Sequence, residues 1–149
     1  MQSKVMIENS NSFFKEYVLS GDGSGFFDAY EKKELWGDRR IDIRIVHRRL
    51  TKDTPICLKK ILENKNHYDH EWKDFIASKL LDELKIEWDT IELSFEQIVD
   101  ELEIVDISYG YYDAPYDFNI YFTPKNIDSE HGIVLLCDKH GKPIKTHIE

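Results

Sequence analysis

Arg40-Ile41-Asp42-Ile43-Arg44-Ile45-Val46-His47 alternates between polar and apolar residues from Arg40 to Ile45. Ile41, Ile43 and Ile45 share one face, and Asp42 and Arg44 share the other. A period of two with one apolar side predicts a half-buried strand, the behaviour of an antiparallel sheet packed on one face only. Upstream, Gly37-Asp38 makes a turn out of an extended run over 26–36. Downstream, Phe118, Ile120 and Phe122 alternate with Asn119 and Tyr121 in the same way. Further strands are expected over 13–19, 104–112, 132–138 and 142–148, with 118–122 inside a strand over 116–123. Gly141 is expected in the left-handed position of a hairpin turn.

The middle third has helical periodicity instead. Pro55 suits a first helical turn before Leu58, Ile61 and Leu62. Asp69 is expected to cap a second helix bearing Trp72, Phe75, Ile76, Leu80 and Leu84, and Ser94 with Gln97 forms a capping box for a short third one. Strands, then helices, then strands predict an α+β fold: a single domain over 13–149, with an antiparallel sheet and about three helices of the middle third packed on one face. Residues 1–12 are polar and expected to be loosely ordered. Gly21, Gly23 and Gly25 read as a turn, because a phosphate-cradling loop needs a following helix opened by Lys-Ser/Thr, and Phe26-Phe27 stands there.

Charge is unevenly distributed. Asp82, Glu83, Glu87, Asp89, Glu92, Glu96, Asp100, Glu101, Glu103 and Asp106 face only Lys85 as a base in 82–106, a net −9 that equals the net charge of all 149 residues. An acidic balance argues against general nucleic-acid binding, which requires Lys and Arg to displace counterions. Residues 31–65 are locally basic, with eleven Lys or Arg against six acids, and read mainly as solvated faces. No run approaches a membrane span, and the first dozen residues lack the apolar core of a signal peptide. Two cysteines, Cys57 and Cys137, sit in apolar runs as small buried hydrophobes, so a reducing cytoplasm is expected.

Catalytic signatures are lacking. His67 and His70 form H-x-x-H beside Glu71, but zinc needs three or four ligands and H-E-x-x-H is absent, so solvated histidines are the expectation. There is no G-x-S-x-G elbow, and neither cysteine lies in a basic, glycine-marked loop that would lower its pKa. The aromatic set Tyr109, Tyr111, Tyr112, Tyr116, Phe118, Tyr121 and Phe122 is dense, and Gly110 with Asp113-Ala114-Pro115 suggests a loop presenting Tyr111, Tyr112 and Tyr116.

Three segments stand out: Asn66-His67-Tyr68-Asp69 leading to Trp72, Glu101-Leu102-Glu103-Ile104 passing into Asp106-Ile107-Ser108-Tyr109, and His131-Gly132-Ile133-Val134 before the 138–141 turn. Together they resemble a group of small bacterial domains of unknown function. The resemblance covers the chain from Tyr68 onward and implies shared packing and turn positions, with no catalytic motif. A looser similarity of size and charge links the chain to immunity proteins that neutralise bacterial toxins.

The expected function is therefore a non-enzymatic protein-binding module, most concretely an immunity-type protein holding a basic toxin domain. Its partner-binding residues are expected to be Glu87, Trp88, Asp89, Glu92, Glu96, Asp100, Glu103, Tyr111, Tyr112 and Tyr116, with charge steering the encounter. Cofactor, metal, nucleic acid and membrane are not expected, and monomer and homodimer are equally compatible with the sequence. The alternatives are a small metal-dependent or hydrolytic enzyme using the histidines, or a self-assembling structural subunit.

Overall fold

The computed structural model describes residues 12–21 and 28–149. Most of the Gly21–Gly25 turn and the N-terminal segment up to residue 11 therefore lie outside the described residues. The strands are β1 (Val18–Ser20), β2 (Ala29–Trp36), β3 (Arg39–Val46), β4 (Leu102–Tyr109), β5 (Phe118–Pro124), β6 (Ile133–Cys137) and β7 (Pro143–Ile148). They form one seven-stranded sheet in sequence order. Between β3 and β4 run α1 (Asp53–Glu63), α2 (Lys65–Glu87) and α3 (Phe95–Glu101).

Every neighbouring pair is antiparallel except β3 and β4, which are parallel. That pair corrects the expected all-antiparallel sheet. A tight turn reverses the chain, whereas the crossover through three helices returns it in the original direction. The sheet is thus two antiparallel meanders joined along one parallel seam. The N-terminal meander also begins differently from expectation: Ser12–Glu16 is a 3-10 turn, and of the expected 13–19 strand only Val18 and Leu19 pair, within a strand that runs on to Ser20.

The helix-side face carries the core. Ile41, Ile43, Ile45, Ile107, Phe118, Ile120, Phe122 and Leu135 point into it and meet Leu58, Ile61, Trp72, Ile76, Leu84 and Ile98 from the helices. In β4 the alternation is interrupted. Ile104 pairs with Phe122 and Asp106 with Tyr121, so Val105 is an extra residue, a β-bulge. Uninterrupted pleating would send Asp106 into the core and Ile107 outward. The bulge keeps Leu102, Ile104, Ile107 and Tyr109 buried and turns Asp106 onto the opposite face.

The expected capping box is present: Gln97 N donates to Ser94 Oγ at 3.2 Å, and Ser94 N donates to Gln97 Oε1 at 2.9 Å. Asp69 is no cap, because α2 already begins at Lys65. Instead it accepts Trp36 Nε1 at 3.0 Å and pairs with Lys73 at 2.9 Å, tying α2 to the end of β2. One turn on, the fully buried Trp72 stacks on Trp36 with 5.5 Å between ring centroids, and its Nε1 donates to Gly141 O at 2.8 Å. Trp72→Phe would keep an aromatic body and leave that buried carbonyl without its donor. We expect a loss of about 1–3 kcal/mol in urea unfolding with the fold retained. A loss below about 0.5 kcal/mol would show that the bond is dispensable.

Candidate functional site

The residues expected to bind a partner divide between two surfaces. At the corner where α2 passes to α3, Asp82, Glu83, Glu87, Asp89, Glu92, Glu96 and Asp100 are all exposed. Helix α2 ends there in a Schellman motif: Thr90 N donates to Lys85 O at 2.9 Å and Asp89 N to Ile86 O at 3.1 Å. Asp89 occupies the left-handed position at φ 51°, where glycine is the ordinary residue. Acids in the last turns of α2 also oppose the helix dipole, which favours cations at that end. Ile86 and Ile91 are 81% and 82% exposed among them, contrary to the burial that their spacing suggests.

Trp88, expected as a surface anchor, is only 4% exposed and belongs to the core. It stands at the C-cap, where the chain turns back over the helix end and closes over the ring. Trp88 Nε1 and Thr90 Oγ1 are buried there without a hydrogen-bond partner among the described residues. Glu103 is not part of the corner either. It pairs with Arg39 on the sheet, while Glu101 accepts the backbone N–H groups of Asn126 and Ile127 and anchors the chain leaving β5. The acidic stretch is therefore not one face, since three of its members, Glu101, Glu103 and Asp106, have places on or beside the sheet.

The histidines and cysteines build no metal-type cluster among the described residues, although Cys57 Sγ lies 4.0 Å from His140 Nδ1. His67 lies 3.7 Å from Glu71 and His70 lies 3.1 Å from Asp74, each pair running along exposed α2 surface. Among the described residues no group of three or more His, Cys, Asp or Glu has a metal-binding arrangement. Cys57 and Cys137 are both unpaired and buried, and burial pushes both thiols up, away from the reactive thiolate.

Tyr111 and Tyr112 belong to the second surface, the sheet face without helices. The pairing sets two rows across it. One runs Glu31, Arg44, Ser108, Asn119, Leu136, and the other Lys33, Asp42, Asp106, Tyr121, Val134. A groove of ≈ 690 Å³ lies over the seam, lined by Arg44, Asp106, Ser108, Tyr111, Tyr112, Asn119, Tyr121, Val134 and Glu149. That volume is within the roughly 300–1,000 Å³ of small-molecule sites.

Local contacts hold its walls. Arg44 Nε donates to Glu31 Oε1 at 3.3 Å, and Ser20 Oγ donates to the same oxygen at 2.8 Å. Arg49 reaches Tyr112 O at 2.8 Å and Asp113 Oδ1 at 3.3 Å, pinning the tyrosine loop. Gly110, at φ 90°, leaves room for that arginine stem: a Cβ there would meet Arg49 Cβ at 2.8 Å. Tyr116 is half-buried at the base of the loop, its N–H bonded to Asp113 O at 3.0 Å, and does not line the groove. The Tyr121 ring lies over Gly132, where a Cβ would come within 2.0 Å of its hydroxyl.

Electrostatics single out Asp106. Burial pushes its carboxyl up, with Arg44 opposing and Asp42 adding to the shift. Tyr111 is likewise raised by burial, Arg44 opposing while Glu31 and Asp106 add to it. Apart from the loop tyrosines Tyr111 and Tyr112 and the terminal Glu149, these groove residues carry no simple sequence motif, because each is the outward member of a strand. The one local signal is Ile104-Val105-Asp106-Ile107, where two core positions three apart betray the bulge.

Two outcomes follow for variants. A raised carboxyl binds its proton more tightly folded than unfolded, so the ionised Asp106 opposes folding above the ordinary aspartate pKa. Asp106→Asn should raise Tm at pH 7, and the advantage should vanish as pH falls below the ordinary aspartate range near 3.8. An unchanged Tm across that pH range would show that the site tolerates the charge freely. Gly132→Ala should displace the Tyr121 ring and cost about 1–3 kcal/mol, the usual penalty of overpacking, measured by urea unfolding.

Among the described residues no helix is long and apolar enough to cross a membrane. Neither the curated proteins nor the solved structures contain a match to the chain. A family described as "uncharacterized protein conserved in bacteria" (DUF2262) matches residues 24–148, which extends the kinship from the C-terminal part into the N-terminal meander. This chain belongs to that family.

Proposed function

We propose that the protein is a non-enzymatic protein-binding module that presents the α2–α3 corner to a basic partner. The observation that carries this reading is the pair Ile86 and Ile91, more than four-fifths exposed and set among seven exposed carboxylates. Apolar side chains supply affinity when desolvated, and the surrounding charges steer encounter and select the partner. A left-handed aspartate and acids at a helix C-terminus both cost stability, which is the pattern of a surface retained for recognition. In its most concrete form the partner is a bacterial toxin whose basic cleft the carboxylates fill. The setting is a reducing cytoplasm, a reading supported by two unpaired thiols.

The test is affinity capture from a lysate of the source bacterium at low and high salt, comparing the wild type with Ile86→Ser/Ile91→Ser. Both positions are exposed, so the double variant should keep its stability within about 0.5 kcal/mol per site. A basic protein retained at low salt, released at high salt and retained at least ~10-fold less by the variant is expected. No basic protein at either salt, or equal retention by the variant, would sink the proposal. Asp89→Gly should stabilise the free protein by about 0.5–1 kcal/mol while weakening capture.

A further inference from the structure

We infer that the helix-free face of the sheet holds a binding site for an amino-acid-type zwitterion, its carboxylate on Arg44 and its ammonium between Asp106 and Asn119. The site is separate from the α2–α3 corner and does not depend on it. Arg44 is oriented through Nε by Glu31, and Glu31 is itself held by Ser20. Among the described residues its terminal nitrogens make no hydrogen bond, and Arg44 lines the groove. A guanidinium with free terminal nitrogens takes a carboxylate in bidentate fashion.

On the far side of the seam the unmet groups are acceptors. Asn119 Oδ1 is buried with no hydrogen-bond partner among the described residues. Asp106, turned onto this face by the Val105 bulge, makes neither a hydrogen bond nor an ion pair among them. A buried acceptor left unmade costs about 1–3 kcal/mol, so such a group marks where a donor belongs. An ammonium brings three donors and a positive charge, enough for both acceptors.

The groove carries both signs: Arg44 is positive, whereas Asp106, Glu149 and the neighbouring Glu31 and Asp42 are negative. A plain anion would meet those carboxylates and leave Asn119 unsatisfied, and a plain cation would give the terminal nitrogens of Arg44 no acceptor. A ligand carrying both charges a few bonds apart satisfies each group. Tyr111, Tyr112 and Tyr121 add aromatic wall for the rest of the molecule, and ≈ 690 Å³ accommodates an amino acid or a dipeptide.

The experiment is a titration of the full chain, followed by amide chemical shifts, with arginine, glutamate and phenylalanine and then with the N-acetyl and the carboxamide forms of whichever binds best. At least one free amino acid should bind with Kd of about 1 mM or tighter, shifting resonances of β3, β4 and β5. The best of the three amino acids, blocked at either end, should bind at least ~10-fold more weakly. Arg44→Gln and Asp106→Asn should each weaken it by a similar factor, with urea unfolding confirming that both variants are folded. No binding by any of the three at about 10 mM would overturn the inference, as would equal binding of the blocked compounds or of both folded variants. Loss of partner capture by Ile86→Ser/Ile91→Ser leaves this titration unaffected, so the two proposals fail separately.

Discussion

The indole of Trp72 joins the two ends of the sheet. On one side it stacks on Trp36 at the end of β2, and on the other it holds Gly141 O in the turn between β6 and β7. Gly141 has φ 77° and lies so close to the helices that a Cβ would meet Ile61 Cδ1 at 3.0 Å and Tyr68 Cε1 at 3.1 Å. The turn is therefore pressed flat on α1 and α2, and Asp138 Oδ1 closes it by accepting His140 N and Lys142 N. Both outer parts of the sheet are held against the helix layer through one side chain. Everything on the opposite face inherits its register from that arrangement.

Helix packing on one side leaves the other side free to be polar. In a covered core Asp106, Asn119 and Arg44 would each demand a partner. On the helix-free face they sit side by side, partly buried, with part of their hydrogen-bonding capacity unspent. The sheet thus supplies the geometry for one surface, while the end of α2 supplies another. At that second surface local backbone cost and exposed apolar atoms coincide, and both follow from the way the chain leaves the helix.

How far these features were legible depends on how local their causes are. The alternation over 40–46 and 118–122, the Ser94–Gln97 box and the left-handed Gly141 involve residues within a few positions of one another, and each matches the structure. The parallel pairing of β3 with β4 is a property of the whole crossover and has no local mark. Trp88, Ile86 and Ile91 share apolar character and dense spacing, yet only the first is buried. Their fates are set by where α2 terminates, and a Schellman motif with aspartate in place of glycine hides that point. Of the groove only the loop tyrosines Tyr111 and Tyr112 stood out: its other residues come mainly from strands far apart in the chain, and each resembles an ordinary solvent-facing position.

The parallel seam also shapes how the molecule comes together. Each meander is built from neighbours in sequence and closes its contacts through short loops, whereas β3 and β4 meet only after the whole helical crossover has been gathered. Non-local pairing of this kind is slow, because chain entropy is lost before contacts compensate for it. Arg44 lies on one side of the seam and Asp106 with Asn119 on the other. Neither meander alone can assemble that face, so its geometry exists only once this long-range pairing has formed.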